Sequence, residues 1–279
     1  MKVAIIQFKS VLGDFNANLE KTLEFAEKAA EEGAEICLFP ELNLTGYNVQ
    51  DITAEIAVTA KQIENSPLAK ISKKISIIVG AIEESEEHIL YNSAFCFSDG
   101  KLIHTHRKVF LPTYGMFDEG RFTGAGKEIK TFYIKGIKSS ALICEDLWHF
   151  STVYLSFIQG AKFIFALSSS PGRGYKESGE LENARIWKNM GEFYSRMTGS
   201  YFFYANRVGV EDGFVFSGKS FACDPFGKVI AEASPFKEEM LLINADESLI
   251  RAARISLPLL RDEKVEVIFN NLRRILDES

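Results

Sequence analysis

Apolar positions along the chain fall into short continuous runs separated by stretches of helical spacing. Val3 to Phe8 is an apolar run of strand length. From about residue 17, Leu19, Leu23, Phe25, Ala26, Ala29 and Ala30 recur at helical intervals, and Gly33 closes the segment. Glu35 to Leu42 and Ile75 to Ile82 are two more strand-length runs, with a helical stretch between them. Strand, helix, strand, helix, strand predicts a sheet covered by helices.

Residues 88 to 110 are strand-like, with a turn at Ser98-Asp99-Gly100. The alternation then returns: a strand at Ser139 to Ile143, a helix near 151–160, a strand at Lys162 to Leu167, a longer helix near 180–198, and a strand at Ser200 to Ala205. Hairpins are expected over 213–244, around Pro225-Phe226-Gly227 and Ala233-Ser234-Pro235, and helical stretches from about 247. Both halves thus run from strand–helix alternation into hairpins, with neither a sequence repeat nor a Pro/Gly/Ser linker between them. The expectation is one α/β domain over residues 1–279.

Composition narrows the classes. Apolar residues make up 46% and charged residues 25% of the 279, as in ordinary globular proteins. The 23 phenylalanines suggest a large, well-filled core. A net charge of -6 disfavours a nucleic-acid binder. No apolar run approaches the roughly 18 residues that cross a bilayer, so no membrane partner is expected. The opening residues lack a signal-peptide cleavage site. Cys37, Cys96, Cys144 and Cys223 lie far apart without a CxxC pair, against a disulfide framework or structural zinc. The expectation is a cytoplasmic protein with reduced thiols and neither metal nor cofactor.

The unusual residues sit at strand ends. Glu41 ends the apolar run Ile36-Cys37-Leu38-Phe39-Pro40, where a carboxylate needs a partner. It reads either as a structural ion pair or as a functional group. Cys144 ends Ser140-Ala141-Leu142-Ile143 and meets Glu145, Asp146 and Trp148 just before a helical stretch. A thiol at a strand-to-helix turn lies near the helix's positive end, which favours thiolate; a buried core thiol is the other reading. Lys108 lies in an apolar stretch, where it is either a solubilising charge or a cation for an oxyanion. His104 and His106 share a strand face, but a third metal ligand at suitable spacing is missing, so they read as hydrogen-bonding imidazoles. Gly124-Ala125-Gly126-Lys127-Glu128 lacks the phosphate-loop pattern. The loop Ser168-Ser169-Ser170-Pro171-Gly172-Arg173-Gly174 is either a substrate contact or a turn.

Three of these segments together resemble the nitrilase superfamily of carbon–nitrogen hydrolases: Phe39-Pro40-Glu41, Arg107-Lys108-Val109-Phe110-Leu111-Pro112, and Ile143-Cys144-Glu145-Asp146-Leu147-Trp148. Asn206-Arg207-Val208-Gly209, Phe216-Ser217-Gly218-Lys219-Ser220 and Asp224-Pro225-Phe226-Gly227 extend the resemblance over nearly the whole chain. It implies a four-layer α-β-β-α sandwich and a Glu41–Lys108–Cys144 triad, with Glu119 as a second glutamate. Within the superfamily the chain is most similar to the glutaminase domain of glutamine-dependent NAD synthetases, through Cys144-Glu145-Asp146-Leu147-Trp148, Gly46-Tyr47, Gln50-Asp51 and Tyr114 to Glu119. That likeness implies an amide pocket lined by Tyr47, Tyr114, Glu145 and the serine loop. Trp148, Ser169 and Arg173 complete the expected substrate contacts. No Ser-Gly-Gly-x-Asp-Ser pyrophosphate loop occurs, so a complete synthetase is not expected.

The implied activity is hydrolysis of a small, glutamine-like amide through a cysteine thioester, with release of ammonia. Hydrolysis of an N-carbamoyl amine or amino acid is the enzymatic alternative; a scaffold or binding protein retaining the fold is the non-enzymatic one. A homodimer or larger homo-oligomer, and a separate synthetase partner receiving ammonia, are the expected associations.

Overall fold

The computed structural model describes residues 1–115, 117–172 and 181–278. Its two main sheets have the same internal plan. In the first, the order is Glu239–Asn244, Lys2–Gln7, Ile36–Leu38, Ser76–Glu84, Leu90–Ser98, Lys101–Arg107. In the second it is Val229–Glu232, Phe221–Cys223, Tyr201–Asn206, Phe163–Ser168, Ile137–Ile143, Phe132–Ile134. Each has three parallel strands at its centre and antiparallel strands on both sides. The matching order of the two halves of the sequence is therefore a matching order of strands.

Strand residues alternate between two buried faces, which is why the runs read as continuously apolar. Val3, Ile5, Ile36, Leu38 and Ile78 pack across the sheet interface against Ile143, Phe165, Leu167, Phe203 and Ala205. Their neighbours Ala4, Ile6, Cys37, Ile77 and Val79 face Ala26 and Ala29 of the helix Phe15–Glu31 and Leu68 and Ile71 of the helix Pro67–Ile71. On the other sheet, Leu142, Ile164, Phe202 and Tyr204 meet Val153 of the helix Phe150–Ile158 and Trp187 and Tyr194 of the helix Glu182–Thr198. Helix, sheet, sheet, helix is the resulting layer order. Phenylalanines fill all three layers of the core, and between the sheets Phe165 and Phe203 stack with ring centroids 5.3 Å apart while Phe163 sits edge-on to both.

Two expectations need correction. The strand expected over Glu35–Leu42 covers only Ile36–Leu38, because the chain turns after Pro40 and Leu42 takes a positive φ of 49°. The helical stretch before Ile75 is broken into short helices at Thr53–Ile56, Ala60–Glu64 and Pro67–Ile71. Cys37, Cys96 and Cys223 are buried free thiols. Among the described residues no helix is long and apolar enough to cross a membrane.

Candidate active site

Glu41, Lys108 and Cys144 all leave the sheets at the same end, two from the first sheet and one from the second. Glu41 lies in the turn after Ile36–Leu38, and that turn docks flat on the neighbouring strand. Gly80 makes this possible: a Cβ there would lie 2.3 Å from the Leu42 nitrogen. The Gly80 N–H donates to Asn43 Oδ1 at 2.9 Å, and its carbonyl accepts from the Leu44 N–H at 3.0 Å. Lys108 follows the strand Lys101–Arg107, where its N–H donates to the Asn92 carbonyl at 2.8 Å and its carbonyl accepts from Gly126 at 2.7 Å. Gly126 is thus explained by packing: a Cβ would come within 2.1 Å of the Arg107 oxygen.

The two side chains meet inside the protein. Lys108 Nζ, fully buried, donates to Glu41 Oε1 at 2.8 Å and to Glu119 Oε1 at 2.7 Å. Glu41 Oε1 also accepts from Asn92 Nδ2 at 2.8 Å, and Oε2 from the Ser169 N–H at 2.7 Å. The Ser169 hydroxyl donates to the Glu41 carbonyl at 2.9 Å. Tyr47 donates its hydroxyl to Glu119 Oε1 at 2.6 Å. Burial works against the Lys108 charge, yet Glu119 and Glu41 together hold its pKa above the ordinary lysine value. Burial raises the Glu119 carboxyl, and the Lys108 charge opposes that rise.

Cys144 sits at a strand-to-turn elbow, after Ile137–Ile143 and at the head of the 3-10 turn Cys144–Trp148. Its φ is +43°, a conformation that a non-glycine residue holds only when its surroundings impose it. Asp146 imposes it. Its Oδ2 accepts from the Ile143 N–H at 3.0 Å and pairs with His106 Nε2 at 2.8 Å. Its Oδ1 accepts from the N–H groups of Val109 at 2.9 Å and Phe110 at 3.1 Å. One buried carboxylate thereby ties the residues just after Lys108 to the residue just before Cys144. Burial would raise the Asp146 carboxyl; the His106 hydrogen bond and charge, with the backbone N–H donors, bring it below the ordinary range.

The sulfur itself is lightly held, by the Ser168 hydroxyl at 3.5 Å. Burial raises the thiol pKa first, and the negative Glu41 raises it further against the pull of Lys108. Burial and Glu41 thus favour the neutral thiol, against the pull toward thiolate that its place before a helical turn suggested. Cys144 opens onto a cavity of about 170 Å³ whose walls include Tyr114, Glu145, Trp148, Ser170 and Trp187. Tyr114 donates its hydroxyl to Glu145 Oε2 at 2.9 Å, and the ring of Trp148 stands edge-on to Trp187.

The expected site residues distribute as follows. Tyr114, Glu145 and Trp148 surround the Cys144 cavity, whereas Tyr47 lies behind it at Glu119 and Ser169 directs both its donors to Glu41. Arg173 lies outside the described residues. Asn92, His106 and Asp146 were not singled out as parts of the site. Asp146 alone had a signal, as a second acid two residues after the cysteine. His106 makes an ordinary hydrogen bond, and His104 stacks on Phe132 with ring centroids 4.5 Å apart.

Comparison with known proteins gives the family and the fold. A model of the carbon-nitrogen hydrolase family matches residues 2–255. The chain belongs to that family. The glutamine-dependent NAD(+) synthetase of Thermotoga maritima is 31% identical over 251 residues, covering 88% of this chain and 42% of the relative. The corresponding enzyme of Acinetobacter baylyi is 30% identical over 239 residues, covering 86% and 43%. The chain spans under half the length of these curated relatives. Among solved structures, Nit3 of Saccharomyces cerevisiae, a member of branch 10 of the nitrilase superfamily, superposes with a TM-score of 0.81 at 25% identity over 93% of this chain and 94% of that one. A carbon-nitrogen hydrolase from Helicobacter pylori shares the fold, with a TM-score of 0.86 at 22% identity over 98% of both chains. The nitrilase-type sandwich expected from the motifs is therefore the fold of this protein.

Proposed function

We propose that this carbon–nitrogen hydrolase is an amidase that opens a small primary amide through a thioester on Cys144 and releases ammonia. The observation that carries the reading is the fixed cluster of Glu41, Lys108 and Glu119 within electrostatic reach of a loosely held thiol at a strained elbow.

An amide resists water because nitrogen is a poor leaving group, and a sulfur nucleophile divides the reaction into two easier steps. Glu41 takes the proton of the Cys144 thiol as sulfur forms its bond to the carbonyl carbon. Because burial and Glu41 favour the neutral thiol, transfer and attack go together. The carbonyl oxygen gathers negative charge beside Lys108, with the Glu145 backbone N–H as a second donor; one such donor is worth about 3–4 kcal/mol. Collapse breaks the C–N bond while Glu41 returns the proton to nitrogen, and ammonia departs. Glu41 then takes a proton from water, whose oxygen attacks the thioester. The carboxylic acid leaves and the proton returns to sulfur. Glu119 gives Lys108 a second carboxylate partner beside Glu41.

A glutamine-like amide is the favoured substrate, since the curated relatives are glutamine-dependent synthetases. Tyr114 and Glu145, joined by their hydrogen bond, offer a polar wall for the far end of such a molecule. On this reading the ammonia serves an amide-forming synthetase partner.

The test is a panel of glutamine, simple amides and carbamoyl compounds, assayed for ammonia and carbon dioxide, with mass spectrometry of the protein during turnover. An acyl adduct on Cys144 and ammonia without carbon dioxide are expected. Carbon dioxide release would move the substrate to the carbamoyl class. Full turnover in Cys144→Ala would overturn the mechanism.

A further inference from the structure

The Cys144 sulfur stands at the end of a line of buried hydroxyls. Ser168, the last residue of the strand Phe163–Ser168, donates its hydroxyl to sulfur at 3.5 Å. The Tyr204 hydroxyl donates in turn to Ser168 Oγ at 3.2 Å. Tyr204 lies on the neighbouring parallel strand Tyr201–Asn206, opposite Ala166, so alternation puts Tyr204, Ala166 and Ser168 on one face of the sheet. Both Ser168 and Tyr204 are buried, and their hydroxyls have protein partners in place of bulk water.

The direction of the line is set at its far end. Ser170 Oγ accepts from Trp187 Nε1 at 2.8 Å and from Asn183 Nδ2 at 2.6 Å. An indole N–H can only donate, and the Asn183 NH2 group is oriented by the Pro171 carbonyl, to which it also donates at 2.8 Å. With both lone pairs answered, the Ser170 hydroxyl has only its proton to give. Burial raises the Tyr204 phenol well above its ordinary pKa, against hydrogen bonds with Ser168 and Ser170. The donors thus run one way, from Trp187 and Asn183 through Ser170 and Tyr204 to Ser168. Sulfur is the acceptor at the end, so its own hydrogen is left free for Glu41.

We propose that Tyr204 is a positioning residue for the nucleophile, acting through Ser168 to keep a hydroxyl proton aimed at the Cys144 sulfur. A donor there favours the charged sulfur over the neutral one. On the amidase reading, on which this inference rests, sulfur carries negative charge twice: as its proton passes to Glu41 during attack, and as the C–S bond breaks when the thioester is hydrolysed. Ser168 serves both moments without giving up its proton. Donation from Tyr204 polarises the Ser168 hydroxyl and fixes its rotamer, since hydrogen bonds in a chain strengthen one another.

The experiment follows alkylation of Cys144 by iodoacetamide across pH, read by peptide mass spectrometry, beside steady-state amide hydrolysis. Loss of the line disfavours thiolate, so Tyr204→Phe should move the alkylation profile to higher pH and slow the reaction about tenfold at a fixed pH below the midpoint. The value of kcat should fall to a similar extent with KM nearly unchanged. Because Tyr204 acts through Ser168, the double variant Tyr204→Phe/Ser168→Ala should be no slower than Ser168→Ala alone. Tyr201→Phe is the control: it also removes a hydroxyl from the strand Tyr201–Asn206, one bonded to the Asp246 backbone, and should leave the profile in place. An unmoved profile in folded Tyr204→Phe, additive losses in the double variant, or an equal shift in Tyr201→Phe would overturn the inference. Should Tyr204→Phe not fold, 3-fluorotyrosine placed at position 204 keeps the ring and donates more strongly. The profile should then move to lower pH, and an unmoved one is equally fatal. Alkylation needs no turnover. A shifted profile in a protein that hydrolyses no amide would leave the positioning role standing and refute the amidase reading; an unshifted profile with amide turnover intact would do the reverse.

Discussion

The two strand exits that build the site are held in opposite ways. Glu41, on the first sheet, has both carboxylate oxygens occupied, by Lys108, Asn92 and the Ser169 N–H, and its own carbonyl fixed by the Ser169 hydroxyl. Cys144, on the second sheet, has its backbone clamped through Asp146, but its sulfur accepts a single long hydrogen bond among the described residues, from the Ser168 hydroxyl at 3.5 Å. The difference matches what each atom must do. A proton acceptor works from one position through both half-reactions, whereas a sulfur that attacks, carries an acyl group and lets go needs room. Preorganisation is therefore concentrated on the base, and freedom is left to the nucleophile.

That contrast can be broken at either end. Glu41→Gln removes the proton acceptor, and turnover should fall by about 10²–10⁴-fold in steady-state assays; its NH2 group must face either the Ser169 N–H or Lys108, so the unfolding temperature should fall as well. Asp146→Asn attacks the link between the exits. It places an NH2 group where backbone N–H groups now donate and leaves His106 without its carboxylate. Denaturant unfolding should show a loss of about 3–5 kcal/mol. Because the folded state holds the Asp146 carboxyl below its ordinary value, this stabilisation is complete above the unfolded pKa, about 3.9, and is lost as pH falls through the lower folded value. The gap between wild type and Asp146→Asn should accordingly narrow in acid. Gly80→Ala drives a methyl into the Glu41 turn and should cost about 1–3 kcal/mol, with kcat reduced more than KM is raised. Ser168→Ala should be mildest. It removes the hydroxyl that donates to sulfur and accepts from Tyr204, and stability should drop by about 1 kcal/mol, read from the shift in urea midpoint.

The raised thiol pKa shows where sequence reasoning reaches its limit. A cysteine at a strand end before a helical turn suggested a thiolate near a positive helix end. The turn is a single 3-10 stretch of five residues, and burial with Glu41 nearby raises the thiol against the pull of the Lys108 charge. Local pattern reports what lies next along the chain; a pKa depends on what lies next in space.

The order of apolar runs, their two buried faces and the positions of Glu41, Lys108 and Cys144 at strand ends were determined by the sequence itself, because periodicity and chain order are linear properties. The serine loop was visible as a polar break but not its use: Ser169 binds Glu41 from 128 residues away, while Ser170 faces the cavity. Asn92 carried no mark in its own neighbourhood, and His106 read as a hydrogen-bonding imidazole without a partner to name. Their partners lie 51 and 40 residues away: Asn92 meets Glu41 through the strand pairing of the first sheet, and His106 meets Asp146 only when the two sheets close face to face. Tertiary structure alone decided which polar groups meet, since the free energy of a buried hydrogen bond depends on the position of both atoms and the chain records only one at a time.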